Sequence, residues 1–324
     1  MNAPRHLQLG LTVAGAPALG WVRTFALREA LSEGFTGEVE LEATAWPDLE
    51  ALPGRDATLE IVPGNAEPTR RFTGVVHAAS ARHDGRGVIT VKVALGDRAF
   101  PAALGCDRRI FQHQSVPDIV RAVLSDVGVA AKHQRWTLRG SYPARPYVVQ
   151  GGEPDRDFVA RLLADEGIAW AVWPTDDGDV LHFFDDPSAV EPIAGEADLV
   201  DRRATAGRSN TIRALRERLR GTSDAVCLRD YDPAHPALDL TATAEAPGTT
   251  GRAVYLHPGG FSSPSEGRAR ANRTLERLQC LGRVMEGESD APQLVPGRWF
   301  TMHDHPRAAL NTALPQIAIH TGAD

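Results

Sequence analysis

Between Thr36 and Ala45 the chain alternates strictly. Val39, Leu41, Ala43 and Ala45 fall on one face, and Glu38, Glu40, Glu42 and Thr44 on the other. Successive side chains of a strand point to opposite faces, so this segment predicts a strand with one dry and one wet face. The segment that follows Met1 to His6 predicts another strand, as do residues 21–27, 57–62, 72–79 and 88–95. Pro53-Gly54, Pro63-Gly64 and Gly85-Arg86-Gly87 separate them. Several short strands at this spacing predict a barrel or a sandwich.

From residue 112 to 187 the period changes. Ser115 stands as an N-cap with Asp118 at the capping-box position, and Ile119, Val120, Val123, Leu124 and Val127 follow at helical spacing up to Gly128. A second helix is predicted over 154–166, with Phe158, Val159, Leu162 and Leu163 as its apolar stripe. Asp155 and Asp157 sit at its positive end, and Gly167 stops it. A hairpin follows, 168–173 and 180–184 around Asp176-Asp177-Gly178-Asp179. Residues 205–320 return to short strands near 225–230, 238–243, 253–257, 299–303 and 316–320. One helix, 265–281, interrupts them and ends at Gly282, and 245–252 reads as a loop. The fold class is therefore mainly β with an α+β middle segment, divided as 1–105, 106–204 and 205–324.

Composition narrows the function. The 30 glycines and 23 prolines suit a turn-rich β protein. Lys and Arg number 35 against 42 Asp and Glu, a net charge of −7 with both signs interspersed. Nucleic-acid binding needs a concentrated basic surface, so a general nucleic-acid binder is excluded. No run approaches the roughly 20 apolar residues that cross a membrane, and the N-terminus has no charged-then-apolar leader. Cys106, Cys227 and Cys280 are too few and too scattered for a disulfide framework or a thiolate metal site. The expectation is folding in the cytosol, with any export independent of a signal peptide.

The chain carries no G-x-S-x-G elbow, P-loop, dinucleotide fingerprint or H-E-x-x-H helix; Gly207-Arg208-Ser209-Asn210-Thr211 begins like an elbow but lacks its last glycine. Four weaker candidates remain. His303-Asp304-His305 offers two imidazoles on one strand face to a metal, as a metal-dependent hydrolase of envelope polymers would need, although Pro306 reads as a strand exit. Asp176, Asp177 and Asp179 suggest calcium, but without the ligand spacing of an EF-hand. Asp165-Glu166 and Asp185-Asp186 are adjacent in sequence and so point apart, unlike an acid–base pair. Trp170, Trp173, Phe183 and Phe184 could stack a carbohydrate, or fill a core across one hairpin.

Longer motifs are more specific. They begin with Arg109-Ile110-Phe111-Gln112-His113-Gln114-Ser115-Val116-Pro117-Asp118-Ile119-Val120, and continue with Tyr142-Pro143-Ala144-Arg145 through Gln150. Next comes Glu153-Pro154-Asp155-Arg156-Asp157-Phe158-Val159-Ala160-Arg161-Leu162, running on to Glu166-Gly167-Ile168. Asp185-Asp186-Pro187-Ser188, Asp230-Tyr231-Asp232-Pro233, His257-Pro258-Gly259-Gly260-Phe261, Glu266-Gly267, Leu294-Val295-Pro296-Gly297-Arg298-Trp299 and His305-Pro306 follow in order. In order and spacing this series resembles the VgrG-type spike proteins of type VI secretion, over nearly the whole chain. Residues 94–100 depart from the block expected before the helix.

The resemblance implies the contractile-phage tail-hub architecture, with two barrel-like β domains flanking the mixed segment. It further implies a structural protein without catalysis or cofactor. Such a hub is a homotrimer that adapts a spike to a hexameric tube among baseplate components, with no nucleic acid and no membrane insertion. It would assemble in the cytoplasm and be delivered outside by the contractile apparatus. Secretion is favoured over a phage tail. Family members continue into an OB-like domain and a β-helical needle, which implies either a fragment or a hub whose spike is a separate polypeptide.

Overall fold

In the computed structural model the 36–45 alternation becomes a strand whose Val39, Leu41 and Ala43 are buried while Glu38 is exposed. The structure describes residues 7–63, 70–85, 87–175, 177–193, 198–201, 211–248, 250–291, 293–315 and 318–323. The chain forms two compact units. One comprises Met1–Ala164, Ile168–Thr211 and Ala291–Asp324; the other comprises Asp165–Gly167 and Ile212–Asp290.

The first unit opens with β1 (Leu7–Val13), β2 (Trp21–Ala30), β3 (Gly34–Ala43), β4 (Asp56–Pro63), β5 (Arg70–His83) and β6 (Ile89–Gly96). They pair antiparallel in the order β1-β4-β5-β6-β3-β2. The register puts Val39 opposite Val93, Leu41 opposite Val91 and Leu59 opposite Phe72, so the apolar alternations meet on one face. Irregularities between Val22 and Thr24 and between Val76 and Ala78 add local twist, and the sheet curls into a half-barrel.

After β7 (Cys106–Gln114) comes helix α1 (Val116–Asp126). The Ser115 hydroxyl accepts from the Asp118 N–H at 3.3 Å, Pro117 takes a first-turn position that needs no N–H, and Gly128 follows at φ +90°. Beyond β8 (Gln134–Thr137) and β9 (Arg145–Pro154) lie helix α2 (Asp155–Glu166) and the hairpin β10 (Ala169–Trp173) and β11 (Val180–Phe184). Trp170 pairs with Phe183 across that hairpin, and β8 runs parallel beside β11. The buried stripes of α1 and α2, with Trp170 and Phe183, join the inner face of the sheet in one core.

Strands β7 and β9 form a two-stranded antiparallel ribbon that the periodicity did not predict. Apolar side chains lie on both of its faces, with Val148 and Phe111 turned toward the core. Ile110, Tyr147 and Val149 are 60%, 56% and 40% exposed, whereas Gln150 is buried and Arg109 half-buried.

The second unit contains most of β13 (Thr211–Leu219), preceded in the first by β12 (Asp198–Asp201). It continues with β14 (Ala225–Arg229), β15 (Thr241–Glu245), β16 (Ala253–Leu256), helix α3 (Pro264–Gln279) and β17 (Arg283–Ser289). Strand β14 lies between β15, antiparallel, and β16, parallel, while β13 pairs with β17. Val226, Leu228, Leu240 and Ala242 pack with Phe261 and with Ala271 and Leu275 of α3. The cap of α3 is Ser263, and the helix ends on Cys280 rather than on Gly282.

The chain then returns to the first unit. There β18 (Trp299–His303) pairs with β12 and with β19 (Ala313–Pro315), and the last strand, β20 (Ala318–Ala323), adds to the edge of the curled sheet against β2. No helix of the described residues is long and apolar enough to cross a membrane.

Candidate functional site

The motif residues gather into clusters. On the inner side of the β7–β9 ribbon, Arg109 donates through Nε to Gln150 at 2.8 Å and through Nη1 to Asp126 at 3.0 Å, and it pairs with Asp155 at the start of α2. Gln150 donates to Asp155 at 2.7 Å and to the Glu153 carbonyl at 3.0 Å. The Asp155 carboxylate is thus held by two donors from the ribbon, which ties the helix N-terminus to β7 and β9. Glu153 pairs with Arg161, eight residues further on within α2, and Phe111 stacks on Phe158 at 5.7 Å. Leu162, Pro117 and Ile119 are buried, Arg145 opens β9 opposite Gln114, and Asp157 and Pro143 are exposed. Gly167 takes φ +71° directly after Glu166 closes α2.

A second cluster fixes the loop after β8. Asp185 accepts from the Tyr142 hydroxyl at 2.7 Å and from the N–H groups of Arg139 and Gly140 at 3.0 and 2.7 Å. These bonds hold its carboxyl below the usual range against the opposing effect of burial. Asp186 caps the following turn through Ser188. Gly297, at φ +83°, lies against Phe184 and Ala171.

In the second unit Asp230 accepts from the Gly260 and Phe261 N–H groups, and Gly259 donates to the Arg229 carbonyl after the cis His257–Pro258 bond. A Cβ on Gly259 would stand 2.4 Å from the Phe261 ring, and one on Gly267 2.5 Å from it. Alanine at 267 gains about 1 kcal/mol of helix propensity. Overpacking against the buried ring costs about 1–3 kcal/mol, so Gly267→Ala is expected to be a net loss. All six tryptophans lie in the first unit, so the loss is expected in circular-dichroism melts and not in tryptophan fluorescence. A melting temperature at or above wild type would disprove the steric account.

The four chemical candidates come apart. Asp304 takes φ +57° and ends the strand at His303, so His305 leaves its face; Nδ1 of His305 accepts from the Arg307 N–H at 3.1 Å. Among the described residues no group of three or more His, Cys, Asp or Glu side chains is placed to hold a metal. Asp179 is buried and accepts from the Thr73 N–H at 2.7 Å, while Asp176 and the elbow-like 207–210 lie outside the described residues. Asp165 and Glu166 are successive residues at the end of α2 and do not face one another as a dyad. Trp170 and Trp173 are 5% and 3% exposed, which removes the sugar-stacking platform. The carboxylate–arginine groups that the sequence reading missed, Glu29–Arg70 and Asp97–Arg156, join residues 41 and 59 positions apart, beyond any local motif.

The decisive comparison concerns the family. Residues 28–321 match the model of the phage tail baseplate hub. The chain belongs to that family. Two type VI secretion system spike proteins of Pseudomonas aeruginosa, VgrG4b and VgrG5, are similar to this hub chain. They are 32% and 31% identical over 295 residues, 90% of the chain. The chain spans 36% and 37% of their lengths, a little over a third. Among solved structures, the E. coli c3393 protein, described as a component of the type VI secretion system, superposes with a TM-score of 0.72. The match covers 97% of this chain and 72% of that one at 21% identity. The 43 kDa tail protein of prophage MuSo2 from Shewanella oneidensis gives 0.68 over 98% and 95% at 16% identity. The hub fold, mainly β with tail-hub neighbours, is therefore that of this chain.

Proposed function

We propose that the chain is a non-enzymatic structural hub at the base of a type VI secretion spike. In this reading three copies form a ring that adapts a spike, on the same or a separate polypeptide, to a hexameric tube. Residues 1–105 and 205–324 supply two barrel-like domains that flank 106–204 along the chain. The hub assembles in the cytoplasm and leaves with the contractile apparatus. The observation that carries the reading is the family match across 28–321, joined by sequence relatives that are secretion spike proteins. The likeness to prophage tail proteins bears on the fold alone.

The motif side chains are spent on each other: Asp155 on Arg109 and Gln150, Asp185 on a loop, Asp230 on two backbone N–H groups. Light scattering over a concentration series tests the reading. The expected mass is three times 34.9 kDa for the chain alone, or a larger complex holding three copies of it once the spike and tube proteins are added. A monomer under both conditions overturns it.

A further inference from the structure

Beside the β10–β11 hairpin a cavity of about 200 Å³ is lined by Lys132, Arg135, Trp173, Thr175, His182 and Arg298, among others. Its charged lining has one sign. Elsewhere in the first unit buried arginines meet carboxylates, as Arg70 meets Glu29 at 2.6 Å. Here none of Lys132, Arg135 and Arg298 lies within ion-pair distance of a carboxylate among the described residues. Glu191 acts on Arg298 only as a more distant charge.

Two nitrogens of this lining have no protein partner, Nδ1 of His182 and Nε of Arg298. Both side chains are held in place. His182 is 1% exposed, its Nε2 bonds the Thr137 hydroxyl at 2.8 Å, and its ring meets that of Trp173 edge-on at 4.1 Å. The Arg298 guanidinium stacks 4.4 Å over the Trp173 ring and donates through Nη1 to the Pro192 carbonyl at 3.1 Å. A buried polar group left without a partner costs about 1–3 kcal/mol, and more when it is charged. Both nitrogens are closed to solvent, so an anion in the cavity would act on them as a neighbouring charge while facing the cations of Lys132, Arg135 and Arg298.

We propose that this cavity is an oxyanion site for phosphate, free or as a monoester, bound by Arg298, Arg135 and Lys132 beside the His182 imidazole. A phosphate carries close to two charges at neutral pH and several strong acceptor oxygens. A single carboxylate would leave most of this donor set unmet. The site stands apart from the hub reading, because it rests on the cavity alone.

The site has a readable consequence. Burial, with Arg135 and Arg298 adding to it, pushes the His182 imidazole down to about 4. A neighbouring anion favours the protonated ring, so binding raises the His182 pKa. The experiment is an NMR titration of the His182 imidazole in the full chain with inorganic phosphate at constant ionic strength, repeated with glycerol 3-phosphate. The expected result is a saturable shift and an upward move of the His182 titration by at least about one unit. Arg135→Gln, a substitution at an exposed position that leaves folding intact, is expected to weaken binding about tenfold. Tighter binding of the ester assigns the site to organic phosphates, and equal binding assigns it to the free ion. A shift no larger than that produced by chloride, or full affinity in Arg135→Gln, overturns the proposal.

Discussion

Replacing Phe158 by alanine is expected to destabilise the first unit by about 3–5 kcal/mol. The side chain is fully buried in the middle of α2, stacked on Phe111, and belongs to the core that α1, α2, the hairpin and the curled sheet share. Truncation removes the transfer energy of the ring and leaves a cavity that cannot collapse, because elements on several sides hold its walls. At roughly 2–4 °C per kcal/mol for a unit of this size, the melting temperature falls by roughly 6–20 °C. Tryptophan fluorescence is the suitable probe, since all six tryptophans belong to this unit. A lower urea midpoint with an unchanged slope is the expected signature. A midpoint within error of wild type would show that Phe158 is not part of the packed core.

The second large effect is expected at Arg70, and it depends on pH. Arg70 donates to Glu29 at 2.6 Å, and its guanidinium lies 4.7 Å over the Phe72 ring. Asp179 shares the same field. Burial pushes Glu29 up to about 7 and Asp179 up to about 6, with Arg70 opposing the shift at both and the Thr73 N–H opposing it further at Asp179. A carboxyl whose folded pKa lies above its unfolded value holds its proton more firmly when folded. Its contribution to stability is therefore greatest at low pH and is lost as the pH rises from about 4 to about 7.

Arg70→Met keeps an apolar stem over Phe72 but removes the cation closest to Glu29. The deficit against wild type is expected to reach about 3–5 kcal/mol near pH 8, where two buried carboxylates face the loss of that charge. It should shrink toward pH 5, where both take up protons. The depressed histidines titrate in both proteins and cancel in the difference. Urea unfolding at the two pH values measures it, and a deficit independent of pH would refute the coupling.

Much of the local architecture was legible. The alternation at 36–45 is β3, the Ser115 cap and Gly128 bracket α1, and the stripe from Phe158 to Leu163 is the buried face of α2. These signals work because they need only a period and a cap. The ribbon of β7 and β9 escaped for a physical reason. Its inward face mixes Arg109 and Gln150, spent on Asp155, with Phe111 and Val148, and its outward face carries Ile110, Tyr147 and Val149. A period-two reading needs one apolar and one polar face, and here each face carries apolar side chains. The candidate chemistry failed differently. His303 and His305 share a face only if the strand continues, and the left-handed Asp304 ends it between them.

The sequence by itself determined which segments become helices and strands wherever one face had to be dry, where the helices start, and, through the ordered motifs, the family. Tertiary structure decided what those segments touch. It brought β20, nearly 300 residues away in the chain, onto the edge strand β2. It placed Glu29 against Arg70 from separate strands, and left the cations around His182 facing a cavity without a counter-charge. Periodicity and caps arise from neighbours a few residues apart. Pairing partners, burial of charge and cavities arise from contacts between distant segments, whose closure costs entropy that only the assembled core offsets.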